Sequence, residues 1–215
     1  AFYLSAFFLR ERIFWCGRDA LVWAADVPEC FRHQRLNPLL WGLFVYVVRL
    51  AGGVKVFVDQ STPFGFACSE WSWQSLLAIL MWRLLTQGVP EAMAYVDNFY
   101  LVSPGALAVE QATHATKVAT LETMFKEAGL PLHERFASST FPGLGWLWSC
   151  KTMTMHCPED KFGHYRRYLG EWIAMPRLSL AIIEKACGLL QWVSAGFPVG
   201  QTDLGHLIHL RTKAK

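Results

Sequence analysis

The chain has 215 residues, 53% hydrophobic and 17% charged, with a formal net charge of +3 at pH 7. That length and apolar content allow a full hydrophobic core, as one large domain or a core with a small lobe. So small a charge excludes assigning nucleic-acid binding from composition alone, and any basic contact surface must come from local clusters such as Arg10-Glu11-Arg12, Arg32-His33-Gln34-Arg35 and Arg166-Arg167.

The apolar stretch 2–8 lacks a basic leader and a cleavage site, so a signal peptide is not expected. Residues 7–19 are compatible with a helix that Gly17 would end, and 21–25 reads as a short buried strand delivering Asp26. Two apolar, β-branched runs, 43–49 and 54–59, flank Ala51-Gly52-Gly53 and predict a hairpin. Pro63-Phe64-Gly65 breaks the chain before a long helix. Ser69 is a plausible N-cap there, Glu70 suits the first turn, and Trp73, Leu76, Leu77, Leu80 and Leu84 share one face. Trp71, Trp73 and Trp82 read together as core packing rather than a base-stacking platform.

After Gly88-Val89-Pro90 a strand pair or tight hairpin is expected over 92–102. A second helix over 109–128 would place Val118, Leu121, Phe125 and Ala128 on one face and stop at Gly129. Residues 144–155 read as a strand pair, 158–174 as a helix opened by Pro158, Glu159 and Asp160, and 179–196 as a last helix capped by Ser179, with Pro198 beyond. His206 and His209 belong on an exposed helical tail rather than to a metal site. The layout is α+β: an antiparallel sheet with helices on one face and a helical tail.

The apolar runs 39–58 and 72–85 are broken by Arg49, Gly52-Gly53 and Lys55, and by Gln74 and Arg83. Neither reaches the roughly 18 clean residues of a spanning helix, so no membrane partner is expected. The six cysteines include no CxxC pair, and His156-Cys157 lacks partners at zinc spacing. They read as reduced structural thiols of an intracellular protein, in cytoplasm or nucleus.

Two acids stand out, Asp26 after Val22-Trp23-Ala24-Ala25 and Asp97 in Tyr95-Val96-Asp97-Asn98. A carboxylate within an apolar β-type segment is costly unless a metal or a donor meets it. Brought together, the pair would suit a divalent-metal site for nucleotidyl transfer. Read singly, Asp97 is a hairpin-turn acid, Asp26 a helix cap before Pro28, Phe31 a core aromatic and Arg32 to Arg35 a solvated face.

The order of these motifs resembles the palm of a reverse transcriptase, in particular that of the DIRS-type, tyrosine-recombinase retrotransposons. The first palm motif, an Asp and four residues before an aromatic, stands as Asp26-Val27-Pro28-Glu29-Cys30-Phe31-Arg32. The Pro-Phe-Gly motif stands as Pro63-Phe64-Gly65-Phe66, and Tyr-x-Asp-Asp as Tyr95-Val96-Asp97-Asn98 followed by Phe99-Tyr100-Leu101-Val102. Gly129-Leu130-Pro131-Leu132, Leu144-Gly145, Pro158-Glu159-Asp160-Lys161 and a thumb-like tail from Gly188-Leu189-Leu190 to Phe197-Pro198-Val199-Gly200 follow in family order.

The resemblance implies a palm over 1–157 with a partial fingers hairpin at 43–59, a helical thumb over 158–215, and fingers largely missing. It implies two Mg²⁺ or Mn²⁺ ions about 3.5–4 Å apart, with Asp26 and Asp97 as shared ligands and the Val27 carbonyl completing a shell. Phe31 is then the steric gate against a ribose 2′-hydroxyl. Arg32, Pro63, Phe64, Gly65 and Tyr95 are candidate nucleotide-binding residues, Leu144-Gly145 is the primer grip, and the partners are an RNA or DNA template-primer and dNTPs. Fingers upstream and an RNase H or recombinase domain downstream are expected in a polyprotein.

The chain departs from the pattern at Asn98, which stands where the motif has its second Asp and keeps an oxygen acceptor without the charge. It also lacks a lysine in the 133–141 segment, where Arg135 is the nearest cation. Either an active polymerase or an inactive remnant that keeps the fold is compatible with these changes.

Overall fold

The structure is a computed structural model and describes residues 6–194 and 200–213. Gly196 and the Phe197-Pro198-Val199 part of the thumb-like tail lie outside them. Two compact units divide the chain. One runs from Leu21 to Ser138; the other joins the N-terminal helix α1 (Ala6–Cys16) to the chain from Ser139 onward. The division falls after Ser138, whereas the palm–thumb boundary read from the sequence falls at 157/158.

The first unit runs β1 (Leu21–Asp26), β2 (Val45–Leu50), β3 (Gly53–Val58), α2 (Ala67–Thr86), β4 (Ala92–Tyr95), β5 (Asn98–Ser103), α3 (Ala108–Glu127) and β6 (His133–Phe136). Its main sheet has the order β4-β5-β1-β6 and is antiparallel throughout. Alternation along the strands sends Trp23, Ala25, Phe99, Leu101, Ala92 and Ala94 to one face. Helices α2 and α3 cover that face with Trp73, Leu77, Leu80, Leu84, Leu121, Met124 and Phe125. At its centre the Phe99 and Phe125 rings meet edge to face with centroids 4.5 Å apart.

The helix ends follow local chemistry. Ser69 is not the N-cap of α2, because its hydroxyl donates back to the Pro63 carbonyl at 2.7 Å and is buried inside the first turn. The helix closes where Gly88 takes a φ of 81° and Val89 N–H reaches the Leu84 carbonyl, the left-handed stop that glycine permits. Of the three tryptophans read as core, only Trp73 is buried. Trp71 and Trp82 are 74% and 64% exposed, because positions 71 and 82 fall on the outer side of the stripe that carries 73, 77, 80 and 84. Ala128 falls just past the end of α3 and is exposed, and Met124 takes the core position instead.

β6 was not legible as a strand. His133-Glu134-Arg135-Phe136 has no apolar alternation, and it pairs at the sheet edge with β1 through a register shift between Ala24 and Asp26. The β2–β3 hairpin forms where expected, paired from Val45↔Val58 to Leu50↔Gly53, but every residue of both strands is exposed.

The second unit holds β7 (Thr140–Gly143), β8 (Trp146–Ser149), β9 (Thr154–His156), α4 (Glu159–Ala174), α5 (Leu180–Ser194) and α6 (Gly200–Lys213). The expected strand pair over 144–155 is a three-stranded antiparallel sheet, β7-β8-β9, and Leu144-Gly145 is its first turn rather than a strand start. Pro158 occupies the N-cap position of α4 without a side-chain capping bond, whereas Ser179 caps α5 by accepting the Ile182 N–H at 3.4 Å. None of the six cysteines is in a disulfide, and no helix among the described residues is long and apolar enough to cross a membrane.

Truncating Phe125 to alanine removes the ring that meets Phe99 between helix and sheet. The expected loss is about 3–5 kcal/mol, measured as a shift of the urea midpoint at unchanged slope.

Candidate active site

The catalytic candidates converge at one end of the main sheet. Asp26 closes β1 and has Asn98, the first residue of β5, as its register partner. Cross-strand partners project to the same side of a sheet, so Asp26 and Asn98 share a face. Tyr95 pairs with Asn98 across the β4–β5 hairpin, leaving Val96 and Asp97 as its two-residue loop.

That loop is tied down on three sides. The Val27 N–H donates to the Asp97 carbonyl at 2.8 Å, joining the acid-bearing turn to the residue next to Asp26. The Asn98 amide nitrogen donates to Asp97 Oδ1 at 2.6 Å. From α2, the indole N–H of Trp73 donates to the Val96 carbonyl at 2.6 Å. Val96 has a φ of 53° while Asp97 stays in the ordinary negative range, the pattern of a type II′ hairpin turn, which favours glycine at its first central position. A β-branched residue held there costs on the order of 1–3 kcal/mol, which the surroundings must offset.

Asp26, Asp97 and Asn98 are each half-buried. Asp26 Oδ1 is buried and has no hydrogen-bond partner. A buried carboxylate oxygen without a donor is costly and is what a bound cation would relieve. No group of three or more His, Cys, Asp or Glu gathers as a metal site among the described residues. Two carboxylates with a backbone carbonyl are nevertheless a fitting donor set for magnesium. That ion takes hard oxygen ligands, keeps several waters, and binds through one or two carboxylates together with substrate phosphates.

The remaining sequence candidates surround this edge or lie elsewhere. Phe31, in the short 3₁₀ turn Cys30–His33 after β1, meets Phe64 edge to face at 5.1 Å. Phe64 is 61% exposed and Gly65, with φ 81°, turns the chain into α2. Pro63 is fixed through its carbonyl by Ser69, and Tyr95 is exposed at the hairpin end. Arg32 pairs with Asp59, whose side chain is only 7% exposed. Burial works against ionisation of Asp59, but hydrogen bonds from the Ser61 N–H and Arg32, with the guanidinium charge, outweigh it and hold this carboxyl below its usual range. Asp59 was not singled out in the sequence; only the structure shows it 27 positions away from its cation yet in contact. Arg135 forms an exposed ion pair with Glu122 at 3.4 Å.

Cys30 reports on the field at this edge. Burial first, then the negative charge of Asp97, push its thiol up to about 12, against a smaller opposing hydrogen bond from the backbone. The first motif and the Asp97 turn are therefore electrostatic neighbours.

Leu144 and Gly145 belong to the second unit. Both have positive φ, 53° and 85°, between the paired residues Gly143 and Trp146, as in a type I′ turn. Trp192 of α5 clamps this turn: its indole N–H donates to the Leu144 carbonyl at 3.2 Å, and its ring stacks on Trp146 at 4.5 Å. The sequence carried no signal for Trp192 beyond its place on a helix.

The chain resembles, over 91% of its length, a foamy viral protease-reverse transcriptase solved in complex with RNA/DNA hybrid, with a TM-score of 0.59 and 15% identity. The match covers 24% of that protein, so the chain spans about a quarter of its length. A foamy viral protease-reverse transcriptase dRH in complex with ds DNA matches 60% of this chain and 23% of its own, with a TM-score of 0.49 and 15% identity. No protein-family model and no curated protein matches the sequence. The fold is reverse-transcriptase-like.

Two outcomes follow from these geometries. In the folded chain at pH 8, Cys30 stays unmodified by iodoacetamide while exposed Cys68 reacts, as peptide mass spectrometry would show, since only the thiolate is nucleophilic. Replacing Gly145 with alanine places a Cβ 2.8 Å from the Trp192 ring at a left-handed φ. The φ alone costs about 1–2 kcal/mol, so a lower unfolding midpoint of the second unit is expected in a urea titration.

Proposed function

We propose that this chain is the palm and thumb of a retroelement reverse transcriptase of the DIRS type, extending a DNA primer on an RNA or DNA template. The observation that supports it best is the meeting of two distant acidic motifs at one sheet end: Asp26 in register with Asn98, and Val27 bonded to Asp97, beside an orphaned Asp26 oxygen. The likeness to a reverse transcriptase that binds an RNA/DNA hybrid adds to it.

In this reading Asp26, Asp97 and the Val27 carbonyl hold the divalent ions. Magnesium or manganese, when bound, lowers the pKa of the primer 3′-hydroxyl and offsets charge on the α-phosphate. The chain's own residues do the positioning. Phe31, braced by Phe64, is the wall that excludes a ribose 2′-hydroxyl. Pro63, Phe64, Gly65 and Tyr95 line the nucleotide or template side. Arg32 keeps further N–H donors for a phosphate beyond those that meet Asp59. The Leu144-Gly145 turn grips the primer, and α4 and α5 form the thumb. Fingers, RNase H or recombinase domains would complete the polyprotein.

A second reading has its own support. Asn98 spends its amide on Asp97 Oδ1 where a second carboxylate would add charge, which suits an inactive remnant that keeps the fold and binds nucleic acid weakly. Extension of a DNA primer on an RNA template with Mn²⁺ separates the two. The polymerase reading expects extension by the wild-type chain, its loss in Asp26→Asn and in Asp97→Asn, more in Asn98→Asp, and more ribonucleotide incorporation in Phe31→Val. Hybrid binding without extension in wild type and Asn98→Asp alike would establish the remnant.

A further inference from the structure

We infer that Trp73 is the positioning residue for Asp97: its indole N–H holds the Val96 carbonyl and keeps the acid-bearing turn in a conformation its own residues disfavour. The inference deepens the metal-site reading above and rests on it for its functional meaning.

A two-residue hairpin loop forms readily when a glycine or asparagine takes the positive φ. Here the loop is Val96-Asp97, and Val96, stiffened by branching at Cβ, sits at 53°. Within the hairpin the Asn98 amide holds the Asp97 side chain, not the Val96 backbone, whose carbonyl is held from outside. Both loop carbonyls accept from elsewhere: Asp97 from the Val27 N–H at 2.8 Å and Val96 from Trp73 Nε1 at 2.6 Å. The first bond ties the loop to the strand of Asp26, and the second ties it to α2.

Trp73 suits this role for two reasons. It is fully buried, and it packs in the cluster that contains Phe99, Leu121 and Phe125. A buried indole N–H needs an acceptor, so packing energy and hydrogen bond fix the same atom. Phenylalanine would fill most of that space without a donor. Trp73 also lies two turns into a helix whose start is pinned by Ser69 on the Pro63 carbonyl. One helix thus bonds both the Pro63-Phe64-Gly65 turn and the Asp97 loop.

The test compares wild type, Trp73→Phe, Val96→Gly and the double variant by amide hydrogen exchange and Mn²⁺ binding followed by electron paramagnetic resonance. In wild type the Trp73 indole N–H exchanges slowly. Trp73→Phe keeps a cooperative unfolding transition, yet exchange at the Val27 amide rises at least tenfold and Mn²⁺ affinity falls severalfold. Val96→Gly, which relieves the strained φ, restores both in the Trp73→Phe background, a rescue that a purely packing role would not permit. Fast indole exchange in wild type, unchanged Val27 exchange in Trp73→Phe, or no rescue by Val96→Gly would each overturn the inference. Should Val27 respond as expected while no variant binds Mn²⁺, the clamp stands and the metal-site reading fails instead.

Discussion

The hydrogen bond from the Val27 N–H to the Asp97 carbonyl carries the arrangement at the sheet end. It extends the β1–β5 ladder one step past its last register pair, Asp26 opposite Asn98, and draws the β4–β5 loop over the end of β1. Because side-chain direction alternates along a strand, a one-residue slip of β1 on β5 would turn Asp26 into the packed face and leave the acidic motifs on opposite sides of the sheet. Register is therefore the condition for any shared chemistry of residues 26 and 97. It is enforced by the apolar set Trp23, Ala25, Phe99 and Leu101, which must meet α2 and α3.

Around that fixed register the loop is over-determined. A costly φ at Val96 is tolerated because Trp73, Val27 and Asn98 each hold a different atom of the turn. Asn98 contributes from within the hairpin itself. Its amide donates to Asp97, so the neighbouring side chain bonds the carboxylate instead of repelling it. The turn can therefore close with no second negative charge to neutralise.

Much of this was legible in the sequence because local chemistry and global fold agree. Apolar alternation marked β1 and β5, helical spacing marked the inner face of α2, and Gly88 and Gly129 marked helix ends. The acidic candidates were legible as expensive residues in apolar company. What escaped notice shares a physical cause: contacts that depend on tertiary placement leave little local trace. β6 is polar and becomes a strand only by pairing with β1. Ser69 resembles a cap until its hydroxyl finds the Pro63 carbonyl. Trp71 and Trp82 look as buried as Trp73 by composition, and only their angle around the helix separates them. Asp59 and Trp192 become partners of Arg32 and of the Leu144-Gly145 turn through long-range folding alone.

The β2–β3 hairpin has a consequence of its own. Both of its faces carry Val45, Tyr46, Val47, Val48, Leu50, Val54, Val56, Phe57 and Val58 to solvent, relieved only by Arg49 and Lys55. Two strands alone are marginally stable in water, and open, apolar strand edges invite pairing with other chains. Arg49 and Lys55 act as gatekeepers there. Neutralising them would strip the two strands of their only charges and favour self-association, a colloidal property set by two side chains remote in sequence from Asp97.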